Sequence, residues 1–159
     1  MSTLKALKDF LTLQEGVSYN AYKDAFGFSI GVGHFLTPDE LKSGLIHLKS
    51  GPVEWKNGLT EARVEELLDQ DIAAVQALML PHITAKLNPC QLNALTSFVF
   101  NEGIGHFLGS TLLRDINSGL WEDVPTQFAR WNLSDGQVNQ GLVKRRALEA
   151  AMFTQPCNQ

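Results

Sequence analysis

A mixed α+β fold, mostly helical, with a small β-containing lobe and an all-helical lobe joined by a long helix, is what this 159-residue sequence predicts. Three observations carry that expectation. Apolar side chains recur at helical spacing over most of the chain. The period changes to alternation in one short stretch, where Val17, Tyr19 and Ala21, then Phe26, Phe28, Ile30 and Val32, fall on every second position among glycines. Between that stretch and the helical remainder, Val64, Leu67, Leu68, Ile72, Val75, Leu78 and Met79 form an apolar stripe long enough for a connecting helix.

Taken in order, Leu4, Leu7, Phe10, Leu11 and Gln14 step as a first helix, and Gly16 is its stop signal. Glu15 therefore falls at the carbonyl end of that helix, where the peptide dipoles disfavour a negative charge and a cation is the usual choice. Such local inconsistency is where functional residues collect. Residues 17–35 read as a small antiparallel sheet, the chain's one predicted sheet. "TPDEL" at 37–41 opens a second helix, with Thr37 as cap and Pro38 in the first turn. Residues 49–59, with Gly-Pro and Asn-Gly signals, read as a loop. The stripe helix starts after Thr60 and ends at Pro81; its acids, Glu65, Glu66, Asp69 and Asp71, read as a solvated face. Gln91–Asn101 is apolar enough to be the core helix of the second lobe. The segments "GSTLLRDINSG", "WEDVPTQFARW" and "GLVKRRALEAAMF" follow as shorter helices. The boundaries are approximately 14–59 for the small lobe, 60–80 for the connecting helix and 81–159 for the helical lobe, all within one domain of residues 1–159.

Composition excludes several function classes. The net charge is -4, and neither half is basic: residues 1–99 carry 8 Lys+Arg against 11 Asp+Glu, residues 100–159 carry 5 against 6. A nucleic-acid partner is therefore not expected. No run approaches a membrane span and the first residues lack a signal-peptide pattern, so no stable membrane association is expected. Cys90 and Cys157 are too few for a disulfide framework or a zinc site. They read first as two free thiols of a cytoplasmic protein, with a single long-range bridge as the lesser alternative.

Among candidate chemistries, "GIGHFLG" at 103–109 lacks the strand and βαβ context of a nucleotide-binding turn. His34, His47, His82 and His106 show no metal-ligand spacing, so no metal and no cofactor is expected; each reads as a surface or hydrogen-bonded residue. Ser29 and Ser110 lack a nucleophile elbow. Two carboxylates remain, Glu15 and Asp24. Glycosidic cleavage needs one carboxylic acid that donates a proton to the leaving oxygen, and one carboxylate that activates water or stabilises positive charge at the sugar ring. Glu15 at its helix end suits the first role. Asp24 on a polar hairpin suits the second, with the Ser29 hydroxyl placed to hold water.

These residues also carry a resemblance. "EG....AY.D..G.SIGVGH" resembles the active-site signature of the phage-type lysozymes, glycoside hydrolase family 24, the family of the T-even phage lysozyme. "GLTEARVEELLDQDI" is similar to the family's inter-lobe helix, "QLNALTSFVFNEGIGHFLGSTLLRDIN" to its core segment and "GLVKRRALEAAMF" to its C-terminal helix. The resemblance runs through nearly the whole chain. It implies a two-lobed lysozyme fold with a cleft between the lobes. By position, Glu15 matches the proton donor, Asp24 the second catalytic carboxylate, and Ser29 the threonine that positions the nucleophilic water. Phe35, Phe100, Thr111 and Gln127 match positions that contact glycan or peptide. One of Arg145 or Arg146 matches an arginine that reaches the base of the donor. Two departures stand out. Serine replaces threonine, and "DAFGFS" is one residue shorter than the usual D-x-x-G-x-x-T, which bears on where Asp24 sits.

The function implied is an endolysin. It would be a muramidase hydrolysing the β-1,4 bond between N-acetylmuramic acid and N-acetylglucosamine of bacterial peptidoglycan. The chain is expected to be a monomer that waits in the host cytoplasm until a separate holin releases it. The alternatives are a lytic transglycosylase, in which the sugar's own 6-hydroxyl attacks, and a catalytically impaired lysozyme-fold protein that only binds glycan.

Overall fold

The computed structural model describes residues 3–157; residues 1, 2, 158 and 159 of the expected 1–159 domain lie outside the described residues. Contacts divide the chain into two units, one of Lys8–Ala74 and the other of Met1–Leu7 with Val75–Gln159.

Helix α1 (Thr3–Glu15), which belongs to the Lys8–Ala74 unit from Lys8 onward, delivers Glu15 at its last position. Strands β1 (Ser18–Lys23), β2 (Phe28–Gly31) and β3 (His34–Phe35) form an antiparallel sheet in that order. Tyr22 pairs with Ser29 and Ser29 with Phe35, so Ser29 sits at the centre of the sheet. Helix α2 (Pro38–Ser43) begins as expected: Thr37 Oγ1 accepts from the Glu40 N–H, and Glu40 Oε2 accepts from the Thr37 N–H.

The 45–57 region departs from the expected loop. Strands β4 (Leu45–Leu48) and β5 (Gly51–Glu54) pair as a hairpin whose turn is Lys49–Ser50, followed by a 3-10 turn at Trp55–Asn57. Ile46, Leu48, Val53 and Trp55 are its buried face. That alternation is present in the sequence, but Gly51-Pro52 interrupts it and reads as a turn. Pro52 is tolerated because this two-stranded sheet consists of edges only.

Helix α3 (Glu61–Met79) buries Val64, Leu67, Leu68, Ile72 and Met79, whereas Leu78 stands 55% exposed, off the buried face. Its acids are not an idle solvated face. Glu65 and Asp69 pair with Lys8 at 2.5 and 2.8 Å. Glu66 accepts from the Ser50 N–H and hydroxyl at 2.7 and 2.6 Å, pinning the β4–β5 turn. Asp71 holds His34.

The Val75–Gln159 part is helical: α4 (Pro89–Glu102), α5 (Ile104–Leu108), α6 (Thr111–Asn117), α7 (Val124–Ala129) and α8 (Gln140–Thr154). Asn88 and Gln91 cap α4 reciprocally, and its residues 93–99 are buried. Phe98 is central to this core, meeting Phe107, Phe128 and Trp131 edge-on at 5.5–6.3 Å. A short hairpin of β6 (Leu133–Ser134) and β7 (Gln137–Val138) turns at Asp135-Gly136, both at positive φ. Asp-Gly is the sequence signal for such a turn, although no hairpin is expected there from the weak flanking alternation.

Cys90 and Cys157 form a disulfide with a Cα–Cα distance of 5.7 Å. This corrects the expectation of two free thiols. α4 and α8 pack against each other, so the first turn of α4 and the segment just past α8 are neighbours despite a sequence separation of 67.

Candidate active site

Glu15 ends α1 because Gly16 stops it. Gly16 adopts φ 74 and donates its N–H to the Thr12 carbonyl at 2.9 Å. The side chain then rests on the turn between β2 and β3. A Cβ built on Gly33 would lie 3.0 Å from both Glu15 Cγ and Oε2, and Gly33 itself sits at φ 65. Glycine there permits both the turn and the close approach of the carboxyl. The "GVG" element thus packs directly on the candidate proton donor, a contact between residues far apart in sequence.

Asp24 follows β1 and folds its own turn around itself. Its N–H donates to the Gly27 carbonyl at 2.8 Å. Its Oδ1 accepts from the Phe26 and Gly27 N–H groups at 2.8 and 3.0 Å, and its Oδ2 accepts from the Ser29 hydroxyl at 3.2 Å. The Phe26 amide foremost, with Ser29 and Gly27, holds its pKa below the usual carboxylate value. Ser29 is buried, and its hydroxyl is directed by the bond to Asp24, which leaves its lone pairs as acceptors. The one-residue shortening of "DAFGFS" therefore leaves the aspartate and the hydroxyl in hydrogen-bond contact. Gly27, at φ 150, suits a backbone that other residues rarely adopt, and a Cβ there would lie 2.8 Å from the tip of the Phe35 ring, which would have to shift. The tip of the Phe35 ring lies against this turn, and the residue is half exposed.

The remaining expected residues lie in the other unit. Thr111 opens α6 and Gln127 lies in α7; they are held by Arg114 at 2.9 Å and Arg130 at 3.4 Å. Both line one cavity of about 480 Å³ with Glu102, His106, Arg130 and Trp131. Phe100 is partly buried near the end of α4 and is not among the residues lining that cavity. Arg145 and Arg146 are buried on α8. Arg146 donates to Glu149, Glu102, Asn101 and the Trp131 carbonyl. Arg145 donates to Glu149 and to Ser97. The C-terminal helix motif singles out the two arginines with Glu149, whereas Ser97, which completes their buried network, carries no sequence signal.

A second group goes unrecognised in the sequence. His34 Nδ1 lies 2.9 Å from Asp71 Oδ2 and Nε2 lies 3.1 Å from Glu40 Oε2. With a carboxylate facing each nitrogen, the ring serves both as donor only when protonated. Burial alone would lower its pKa, but Asp71 and then Glu40 outweigh burial and raise it above 6.5. The signal available was Glu40 at the third helical position and Asp71 on an apolar-facing step of α3.

The chain is thus mostly helical with small sheets, with one carboxylate at a helix end against glycine and another ringed by donors in the turn after β1. The chain belongs to the phage lysozyme family, whose model matches residues 12–149. A SAR-endolysin of Bacteriophage PS119 is 35% identical over 136 residues, taking in 85% of this chain and 73% of the relative. The endolysin of Bacillus phage PZA is 32% identical over 142 residues and 87% of this chain, which spans 50% of that longer relative. Among solved structures, the muramidase domain of SpmX from Asticaccaulis excentricus has a TM-score of 0.76 at 27% identity, covering 96% of this chain and 97% of that one.

Proposed function

We propose that the chain hydrolyses the β-1,4 bond between N-acetylmuramic acid and N-acetylglucosamine in peptidoglycan, with Glu15 as general acid, Asp24 as the second carboxylate and Ser29 as the water-positioning residue. The observation that carries this reading is the ring of donors on Asp24: two backbone amides on one oxygen and the Ser29 hydroxyl on the other. Three donors favour the ionised form, which is the form needed beside a developing oxocarbenium ion. Glu15 gives its proton to the leaving oxygen as the bond from the anomeric carbon breaks. A water held by Ser29 and Asp24 forms the new bond to that carbon and passes its proton to Asp24. Phe35, Phe100, Thr111 and Gln127 are proposed to contact the glycan and its peptide; support comes from the half-exposed ring of Phe35 and from the shared cavity of Thr111 and Gln127.

The protein is read as a monomeric endolysin that reaches the wall after a separate holin opens the inner membrane. Among the described residues no helix is long and apolar enough to cross a membrane. The Cys90–Cys157 bridge supports a working location outside the reducing cytoplasm, where disulfides persist. The test is Glu15→Gln. It is expected to lower turnover of purified sacculi by about 10²–10⁴-fold with the fold retained, since an amide cannot supply the proton.

A further inference from the structure

Phe26 stands at the tip of the β1–β2 turn with 83% of its surface exposed, more than any other large apolar side chain among the described residues. The turn does not require it. Asp24 supplies the capping carboxylate and Gly27 the unusual backbone, while position 26 contributes only its N–H, which every residue but proline possesses. A polar side chain would serve the fold equally and keep apolar surface out of water.

We propose that Phe26 is a stacking platform for a sugar ring of the glycan strand, setting affinity beside the second carboxylate; this rests on the muramidase reading. One face of a β-linked pyranose presents axial C–H groups, an apolar and slightly positive surface that matches the negative face of an aromatic ring. The location selects this occupant. The Phe26 N–H donates to Asp24 Oδ1 at 2.8 Å, so the ring and the carboxylate share one rigid turn. Phe35, 48% exposed, is paired with Ser29 and adds a second exposed ring on the face that carries the Asp24-bound hydroxyl, whereas Phe28 points to the opposite face. A second copy of the chain is a poor match, because one ring at a hairpin tip is far short of the roughly 800 Å² per partner of a stable interface. An anionic lipid surface is a poor match too, because the ionised Asp24 lies two residues away.

The experiment uses soluble, uncross-linked glycan strands and the full chain. Phe26→Ala is expected to raise KM about three- to tenfold with kcat within about twofold, and Phe26→Trp to restore KM. In the Glu15→Gln background, Phe26→Trp is expected to give a saturable fluorescence change with the same glycan that exceeds the change of Glu15→Gln alone. Wild-type hydrolysis with an unchanged KM in Phe26→Ala would overturn the stacking role while leaving the muramidase reading intact. Wild type that makes no new reducing ends would overturn the muramidase reading, and the fluorescence titration would still decide whether Phe26 meets glycan. Loss of binding to phosphatidylglycerol vesicles in Phe26→Ala, with KM unchanged, would replace the proposal with a membrane contact.

Discussion

Reduction of the Cys90–Cys157 bridge is a perturbation whose size follows from the chain itself. The bridge closes a sequence separation of 67 and joins the first turn of α4 to the segment after α8. Opening a loop of that length returns about 4 kcal/mol of chain entropy to the unfolded state at 25 °C. That is a large share of the roughly 5–15 kcal/mol that holds a domain folded. With a urea dependence of about 2 kcal/mol per molar, the unfolding midpoint should fall by about 2 M. The assay is urea unfolding followed by fluorescence of Trp121 and Trp131, with and without reductant, beside Cys157→Ser. Thiol titration of the untreated native chain should find no reactive thiol. A midpoint that moves by less than about 0.5 M on reduction, or two titratable thiols in the native chain, would refute the reasoning.

Two further outcomes follow from the same geometry. Ser29→Ala removes both the donor to Asp24 Oδ2 and the proposed water acceptor. It should lower kcat by about 10²–10³-fold and move the acid limb of the kcat/KM profile to higher pH, because Asp24 loses a group that favours its ionised form. Ser29→Thr should keep most activity, and equal losses in both variants would contradict the hydroxyl's role. His34→Asn should destabilise by about 1–3 kcal/mol at pH 5. The folded-state pKa of His34 is raised, so its contribution is fully present below about 6.5 and is lost as pH rises through the folded value. The stability gap between wild type and variant should therefore narrow as pH rises above about 6.5, and urea midpoints that keep a constant gap would argue against the bridge.

Local signals carried much of the architecture. Gly16 ended α1 and left Glu15 at its tip, the Thr37-Pro38 start fixed α2, and the alternation through Ile30 and Val32 located the three-stranded sheet. The β4–β5 hairpin was obscured because Gly51-Pro52 is a turn signal in isolation, while the burial of Val53 and Trp55 depends on the rest of the unit. Long-range pairings were not legible at all. Cys90 meets Cys157 only because α4 packs on α8, and Glu15 meets Gly33 only because the sheet folds back on α1. The acids of α3 looked like a solvated stripe because charge on a helix says nothing of what faces it. Lys8, Ser50 and His34 supplied those partners in three dimensions. For the candidate site, residue types and spacing named Glu15, Asp24 and Ser29, whereas the way Asp24 captures its own turn needed coordinates.

The central claim is that Glu15 is the acid of a hydrolysis at muramic acid, and the most direct test identifies the sugar ends it makes. Purified sacculi are digested with wild type and with Glu15→Gln, and the soluble fragments are analysed by mass spectrometry. New reducing N-acetylmuramic acid ends are expected from wild type alone, with Glu15→Gln folded and inactive. Reducing ends from both proteins at similar rates would contradict the role of Glu15. Anhydro ends from wild type would contradict hydrolysis, showing that the sugar's own hydroxyl, and not a water held by Asp24 and Ser29, completes the reaction.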